Sequence, residues 1–434
     1  MLVVTKFGGS SLSCGNQFKK VKDIINKNEQ RKAVVVSALG KRNSDDTKIT
    51  DLLYILHAHL KFKASIDDLW NQFSKRFIEV KDELEIDYDI KHDLDELYAS
   101  LDYNTDEDYL VSRGEFLTAK LMSAYLGYKF VDARDVIKFN NDGSLDEVST
   151  NTLIVKEFDP SGTVIPGFYG SFHDGKIKLL SRGGSDVTGS ILSKALAVSL
   201  YENWTDVSGI MMADPRIVSN PKSIKELTYL ELRELSYMGA NVLHEETIFP
   251  VQSLNIPINL KNTNKPDDEG TYIKEVASGN NAITGIAGKK GFIAYTIYKK
   301  HLSNEVGFMR KVLEVFEKHR ISIEHVPTGI DSISVVASTS DMKKYGKDII
   351  IELNQVVNPD TIEISDELAL IAIVGRNMKN HSGISGIIFK ELGNNNINVK
   401  MIAQGPNELD IIVGVLTKDY DKTIISLYNG LKDL

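Results

Sequence analysis

The strongest constraint on the fold is a pattern that occurs twice, 76 positions apart, near the carboxy terminus. Gly307-Phe308-Met309 is followed by Val312, Leu313, Phe316, Ile321 and Ile323; Gly383-Ile384-Ser385 is followed in register by Ile388, Phe389, Leu392, Ile397 and Val399. Each copy reads as a glycine opening a helix, an apolar face at helical spacing, and a short β-branched strand. A period of this length marks one supersecondary unit used twice. Apolar runs at 291–297, 332–337, 368–374 and 409–415 complete two ferredoxin-like βαββαβ modules. The boundaries that follow are 1–282 for an amino-terminal domain, 283–360 for the first module and 361–434 for the second.

The amino-terminal part has another rhythm. A short apolar run, a glycine turn and a helical pattern succeed one another, as in 2–6, Gly8-Gly9, and the face formed by Phe18, Val21, Ile24 and Ile25. Further strands are predicted at 33–36, 130–132, 163–166, 178–180 and 201–205, and a helix over 187–200. The proline-free stretch 51–125, rich in Leu, Lys, Asp and Glu, reads as a helical excursion. Strands alternating with helices predict an α/β domain with a mainly parallel sheet covered on both faces.

Composition narrows the function. A formal charge of −9 argues against nucleic acid as a general partner, yet leaves room for a local cluster that binds small anions. Cys14 is the single cysteine, so no internal disulfide forms, and the expectation is a small residue near the first turn rather than a nucleophile. No run approaches the ~20 apolar residues of a membrane span. The apolar start before Thr5 and Lys6 is too short for a signal-peptide core, so a cytoplasmic protein is expected.

Four segments can carry chemistry. In Lys6-Phe7-Gly8-Gly9-Ser10-Ser11, a strand ends in a lysine and two glycines open a helix. That gathers backbone N–H groups and a mobile positive charge where phosphoryl oxygens can sit. A tight turn with a solvated lysine is the plain alternative. Ser181-Arg182-Gly183-Gly184-Ser185-Asp186 is a second such junction. Ser185 or Asp186 is expected to cap a helix starting at Val187, with Arg182 suited to a carboxylate or phosphate. In Trp204-Thr205-Asp206-Val207-Ser208-Gly209, with Asp214-Pro215-Arg216 after it, a polar pair at a strand end suits a base or ribose; turn chemistry alone would also explain it. Arg113-Gly114-Glu115 precedes an amphipathic pattern, which makes Glu115 a first-turn acid or a partner for an ammonium group. The chain has no GxxxxGK[ST], GxGxxG, HRD or DFG pattern, and no zinc-ligand spacing.

Together these motifs resemble the aspartokinases of the amino-acid kinase superfamily. The match runs in order through KFGGSS at Lys6, VVVSALG ending at Gly40, SRGE at Ser112, SRGGSD at Ser181, WTDVSGIMMADPR at Trp204, MGANVLHEETI at Met238 and NTNKPDDEGT at Asn262. The two carboxy-terminal modules resemble the tandem ACT domains of the same enzymes. The resemblance implies a three-layer amino-acid kinase sandwich and phosphorylation of the β-carboxylate of L-aspartate by MgATP, which opens the route to lysine, threonine and methionine. It implies that Lys6, Gly8, Gly9 and Ser10 hold the donor phosphates. Ser37, Thr50, Glu115, Phe168, Arg182 and Ser185 would line the aspartate site, with Arg182 on a carboxylate and Glu115 on the amino group. Asp186 would organise the centre through lysine or Mg²⁺ contacts; no metal site made by the protein alone is expected. Thr205, Asp206 and Arg216 would belong to the nucleotide side. The chain departs from the family pattern at Met211, where many members have tyrosine, and at Asn241, where many have lysine; Arg216 is the expected substitute for that charge.

By the same resemblance the ACT modules pair with those of a second subunit, giving a homodimer or dimer of dimers. An amino-acid effector, lysine first and threonine next, would sit against 303–309 and 324–332. Met309, Glu324, Asp331 and Ser332 are the candidate contacts there. A kinase for glutamate, N-acetylglutamate or UMP, and a catalytically weak amino-acid sensor, are the remaining alternatives.

Overall fold

The structure is a computed structural model that describes residues 2–181, 183–240, 243, 245–279 and 281–434. It divides into two compact units. One holds Met1–Ile210, Lys225–Tyr229 and Asn241–Ser278; the other holds Met211–Ile224, Leu230–Ala240 and Gly279–Leu434.

The first unit is built on an eight-stranded sheet. Its order is Glu226–Thr228, Thr271–Lys274, Ile258–Asn262, Leu200–Thr205, Val3–Phe7, Arg31–Val36, Thr163–Pro166 and Lys129–Phe130. All neighbours run parallel except Ile258–Asn262 against Thr271–Lys274. Val3–Phe7 is wholly buried. From it the chain builds outward first through Arg31–Val36 and Thr163–Pro166, and later on the other side through Leu200–Thr205 and Ile258–Asn262. The order therefore reverses at the first strand, and a crevice opens at the carboxyl ends around it, the usual place for a ligand in such sheets. Helix Gly15–Asn26 buries the face Phe18, Val21, Ile24 and Ile25 expected from its spacing. Phe7 stacks on Trp204 at 6.1 Å in the same core. Each large apolar side chain buried this fully contributes about 1.5–3 kcal/mol.

The helical excursion is four helices: Ile49–Lys61, Asp67–Leu84, Ile90–Ala99 and Glu107–Leu126. Asp89 and Asp106 cap the last two through the N–H groups of His92 and Tyr109. The fourth helix begins earlier than its apolar pattern suggests, because polar Glu107 and Asp108 form its first turn. Glu115 is thus an interior helical residue and not a first-turn acid. Gly114 lies within the helix too. A Cβ there would lie 3.0 Å from both Ala38 Cβ and Ile49 Cγ2, so this glycine allows close helix packing rather than a turn. A second correction concerns Ser185 and Asp186. The helix is Gly184–Ala195, and Gly183, at φ +78, is its cap; both residues lie inside the first turn. The predicted strand at 130–132 is only Lys129–Phe130, because Asp132 caps the short helix Ala133–Val136.

The second unit carries a six-stranded sheet in the order Ile323–His325, Ser332–Ser338, Gly285–Tyr298, Thr361–Val374, Asp410–Leu416 and Met401–Gln404, with every pair antiparallel. Helices Phe308–Lys318 and Ile384–Asn394 keep the 76-residue spacing, and both follow left-handed glycines, Gly307 at φ +82 and Gly383 at φ +93. A side chain at either glycine would meet no atom, so the backbone angle alone requires glycine there. The two long central strands are common to both copies. Residues 285–290 pair with 369–374 in the second copy, and 294–298 pair with 361–365 in the first, with irregular register between. In this unit Glu231 is fully buried and accepts hydrogen bonds from the Thr284 hydroxyl, the Arg376 N–H at 3.1 Å and the Arg376 guanidinium at 3.1 and 3.2 Å. Among the described residues no helix is long and apolar enough to cross a membrane.

Candidate active site

The first glycine turn follows directly from the parallel register. Lys6 lies opposite Val35 on one side and Asn203 on the other. Its side chain is buried, with Nζ 2.5 Å from Asp186 Oδ1. Asn203 Nδ2 donates to the same oxygen at 2.8 Å, and the Tyr201 hydroxyl donates to the Asp186 carbonyl at 3.0 Å. Asp186 is thus fixed from the strand that flanks Lys6. Asn203 is a residue of this candidate site that the sequence analysis did not name; the signal was two polar residues, Glu202 and Asn203, in the buried middle of a strand flanked by Tyr201 and Trp204.

Gly8 N donates to Trp204 O at 2.9 Å, Ser37 N to Phe7 O at 3.1 Å, and Gly40 N to Gly9 O at 2.9 Å. The turns after the first and second strands therefore lie against each other. Gly9 and Gly40 approach too closely for side chains: a Cβ on Gly40 would be 2.3 Å from the Gly9 carbonyl carbon. Ser10 belongs to the short helix Gly9–Leu12, and Ser11 shares a buried 2.7 Å hydrogen bond with Thr263.

A second wall comes from helix Glu107–Leu126. Glu115 is only 4% exposed, and its Oε2 has no hydrogen-bond partner. Burial pushes its carboxyl up to about 8 from an ordinary 4.5; the Ala38 N–H bonded to it and the nearby Arg113 pull the other way without prevailing. A buried carboxyl with an unused oxygen beside the Ser37–Ala38 turn can receive a cation. Thr50, half-buried, follows Ile49 at the start of the helix that packs on Gly114.

The third wall joins Phe168 and Ser185. Gly167 N donates to Val36 O, and a Cβ on Gly167 would lie 2.6 Å from Ser185 Cβ. Phe168 adopts φ +78, unusual for a side-chain-bearing residue, and is held by the Thr188 hydroxyl on its N–H at 3.1 Å and by Leu180 N on its carbonyl at 2.8 Å. Arg182 lies outside the described residues, as does Asn241.

Thr205 ends its strand opposite Asn262, and its hydroxyl donates to exposed Asp206 at 3.0 Å. Arg216 belongs to the second unit, where it forks onto Asp214 at 2.6–3.1 Å; this pairing holds the Asp214 carboxyl below its ordinary range. The regulatory candidates are also in the second unit. Met309 is the exposed second residue of its helix. Glu324 accepts from the Tyr237 hydroxyl, Asp331 Oδ1 accepts from His301 N at 2.8 Å, and the Ser332 carbonyl accepts from Gly329 N at 2.8 Å.

A buried lysine–aspartate pair, two touching glycine turns and a buried carboxyl with a partnerless oxygen, all at the switch point of a parallel sheet, make a site suited to small charged ligands. Comparison agrees with that class. The profile of the amino acid kinase family matches residues 1–262, and that of the ACT domain matches 371–431; the chain belongs to the amino acid kinase family. Aspartokinase 3 of Bacillus subtilis is 37% identical, over 98% of this chain and 97% of its own. The crystal structure of Clostridium acetobutylicum aspartate kinase, described as an allosteric enzyme, is 48% identical with a TM-score of 0.91, covering 99% of both chains. Escherichia coli aspartokinase III, 25% identical, aligns over 99–100% of the chain in a complex with aspartate and ADP (R-state, TM-score 0.78) and in one with lysine and aspartate (T-state, 0.76). Within its family, then, this protein is an aspartate kinase.

Proposed function

We propose that the enzyme transfers the γ-phosphoryl group of ATP to the β-carboxylate of L-aspartate, giving 4-phospho-L-aspartate. The observation that carries this reading is the Lys6–Asp186 pair beside the paired glycine turns, with the partnerless Glu115 oxygen on the adjoining wall. A substrate carboxylate with pKa ~3.9 is already an anionic nucleophile at neutral pH, so no general base is needed. What the protein must do is hold two anions in line and offset charge on the transferring group. Lys6 supplies positive charge to the donor phosphates, and Gly8, Gly9 and Ser10 bring backbone N–H groups within reach of them. Asp186, fixed by Asn203, orients the Lys6 ammonium. Glu115 takes the substrate's ammonium and Arg182 a carboxylate, with Ser37, Thr50, Phe168 and Ser185 closing around the acceptor. Thr205 and Asp206 serve the nucleotide.

Mg²⁺ fits this site as a companion of the nucleotide. Among the described residues no cluster of His, Cys, Asp and Glu forms a cage, and Lys6 and Asn203 both bond Asp186 Oδ1, leaving Oδ2 for a hydrated ion. When bound, the ion neutralises phosphate charge.

We also propose limits of the sequence units at 282 and 360, with the two central strands shared between the ACT modules, a cytoplasmic homodimer or dimer of dimers paired through those modules, and inhibition by lysine at the first module. The lysine-bound state of the Escherichia coli relative supports the effector. Met309, Glu324, Asp331 and Ser332 are its contacts here. Inhibition requires lysine to bind a less active arrangement more tightly.

The test is incubation with MgATP and L-aspartate in hydroxylamine, which traps an acyl phosphate as a hydroxamate. Aspartate-dependent hydroxamate that disappears in Lys6→Ala and falls with added lysine is expected. Folded, ATP-binding protein that yields none with aspartate overturns the reaction; hydroxamate with glutamate, or UMP-dependent ADP formation, instead reassigns the acceptor.

A further inference from the structure

One buried charge outside the site has three contacts that all serve the site's walls. Arg76 lies on helix Asp67–Leu84, whose apolar stripe is Trp70, Phe73, Phe77, Val80 and Leu84. It is the buried charged residue of that helix, only 5% exposed. An arginine in such a stripe carries a desolvation cost that a leucine would avoid, so its contacts have to justify it. Its Nη2 donates to Gly40 O at 2.7 Å and to Ser13 O at 3.3 Å, and its Nη1 lies 2.8 Å from Asp46 Oδ2. Gly40 is the residue whose N–H bonds Gly9 O, and Ser13 closes the short helix Gly9–Leu12. Asp46 sits in the loop that leads to Thr50 and is itself gripped by the Arg42 N–H at 3.0 Å and guanidinium at 2.9 and 3.2 Å. The same helix sends Glu83 to the Gly15 N–H at 2.6 Å, at the start of the next helix.

We propose that Arg76 is a positioning residue for the phosphoryl transfer, its planar fork holding the Gly8–Gly9 turn, the Ser37–Gly40 turn and the loop to Thr50 in one arrangement. The inference rests on the reaction proposed above. A guanidinium suits the task because its fixed donors reach several acceptors at once, whereas an ammonium is a single point. Transition-state contacts are the most sensitive to small displacements of such turns. The expected signature is therefore a fall in kcat with little change in KM.

The experiment compares the full-length parent with Arg76→Ala and Arg76→Lys, following aspartate-dependent ADP formation with MgATP and checking the fold by circular dichroism and thermal melting. Arg76→Ala is expected to lose about 30- to 100-fold in kcat while KM for ATP moves less than about threefold. Guanidinium at tens of millimolar, but not methylammonium, is expected to restore at least fivefold. Arg76→Lys, the variant to rely on if Arg76→Ala does not fold, should lose about fivefold in kcat. Parental kcat in either folded variant overturns the proposal, as does a loss in folded Arg76→Ala that guanidinium leaves unchanged. An inactive parent would instead mark failure of the proposed reaction.

Discussion

Replacing Glu115 with glutamine separates the carboxyl's cost to the fold from its use in binding. Burial raises this carboxyl to about 8 from 4.5, so between those values the folded chain holds a proton that the unfolded chain has released. The associated stability is complete below pH 4.5 and is lost as pH rises toward 8; above 8 the slope ends. Glutamine imitates the protonated form at every pH. At pH 7, about 2.5 pH units above the ordinary value, the ligand-free Glu115→Gln enzyme should be more stable than its parent by about 3 kcal/mol, rising to about 5 above pH 8. Binding moves in the opposite direction. Removing one partner of a buried ion pair costs about 3–5 kcal/mol, so kcat/KM for aspartate should fall at least about a hundredfold. In the parent, KM for aspartate should decrease as pH rises toward 8, because the ammonium needs the carboxylate. Urea unfolding of both proteins without ligand at pH 5.5, 7 and 8.5, with kinetics beside it, makes the test. A stability difference that does not grow with pH refutes the reasoning, since the carboxyl would then not be held neutral.

Other outcomes follow from the same contacts. Lys6→Met should fold, since Asn203 still bonds Asp186, yet lose about 10²–10³ in kcat by coupled ADP assay. Gly40→Ala should lower the melting temperature and the activity together, because a Cβ 2.3 Å from the Gly9 carbonyl carbon must displace backbone, typically costing about 1–3 kcal/mol. Glu231→Ala removes the buried carboxylate that Arg376 and Thr284 bond, and should destabilise the second unit by about 3 kcal/mol or more in denaturant titration.

Much of this was legible in the sequence where local chemistry and periodicity agree. The 76-residue repeat survives in the two helices and their glycines because an angle near +90° leaves few alternatives. Lys6, Gly8, Gly9 and Asp186 stand out in the sequence because strand–glycine–helix junctions announce themselves. Glu115 was named as a candidate but given the wrong helical position, since the helix opens on the polar pair Glu107 and Asp108. Asn203 and Arg76 were missed for a common reason. Their meaning depends on which distant segment lies opposite, and strand register or helix packing sets that across many residues.

The central strands Gly285–Tyr298 and Thr361–Val374 have a consequence for how the regulatory half can be taken apart. Each is one strand whose two ends serve different modules, with irregular register between them. Cutting the chain at 360 would not release an intact first module: it would strip the strand 285–298 of its pairing with 361–374. The two modules are duplicates by sequence, yet neither owns a complete sheet: one six-stranded sheet is built from both.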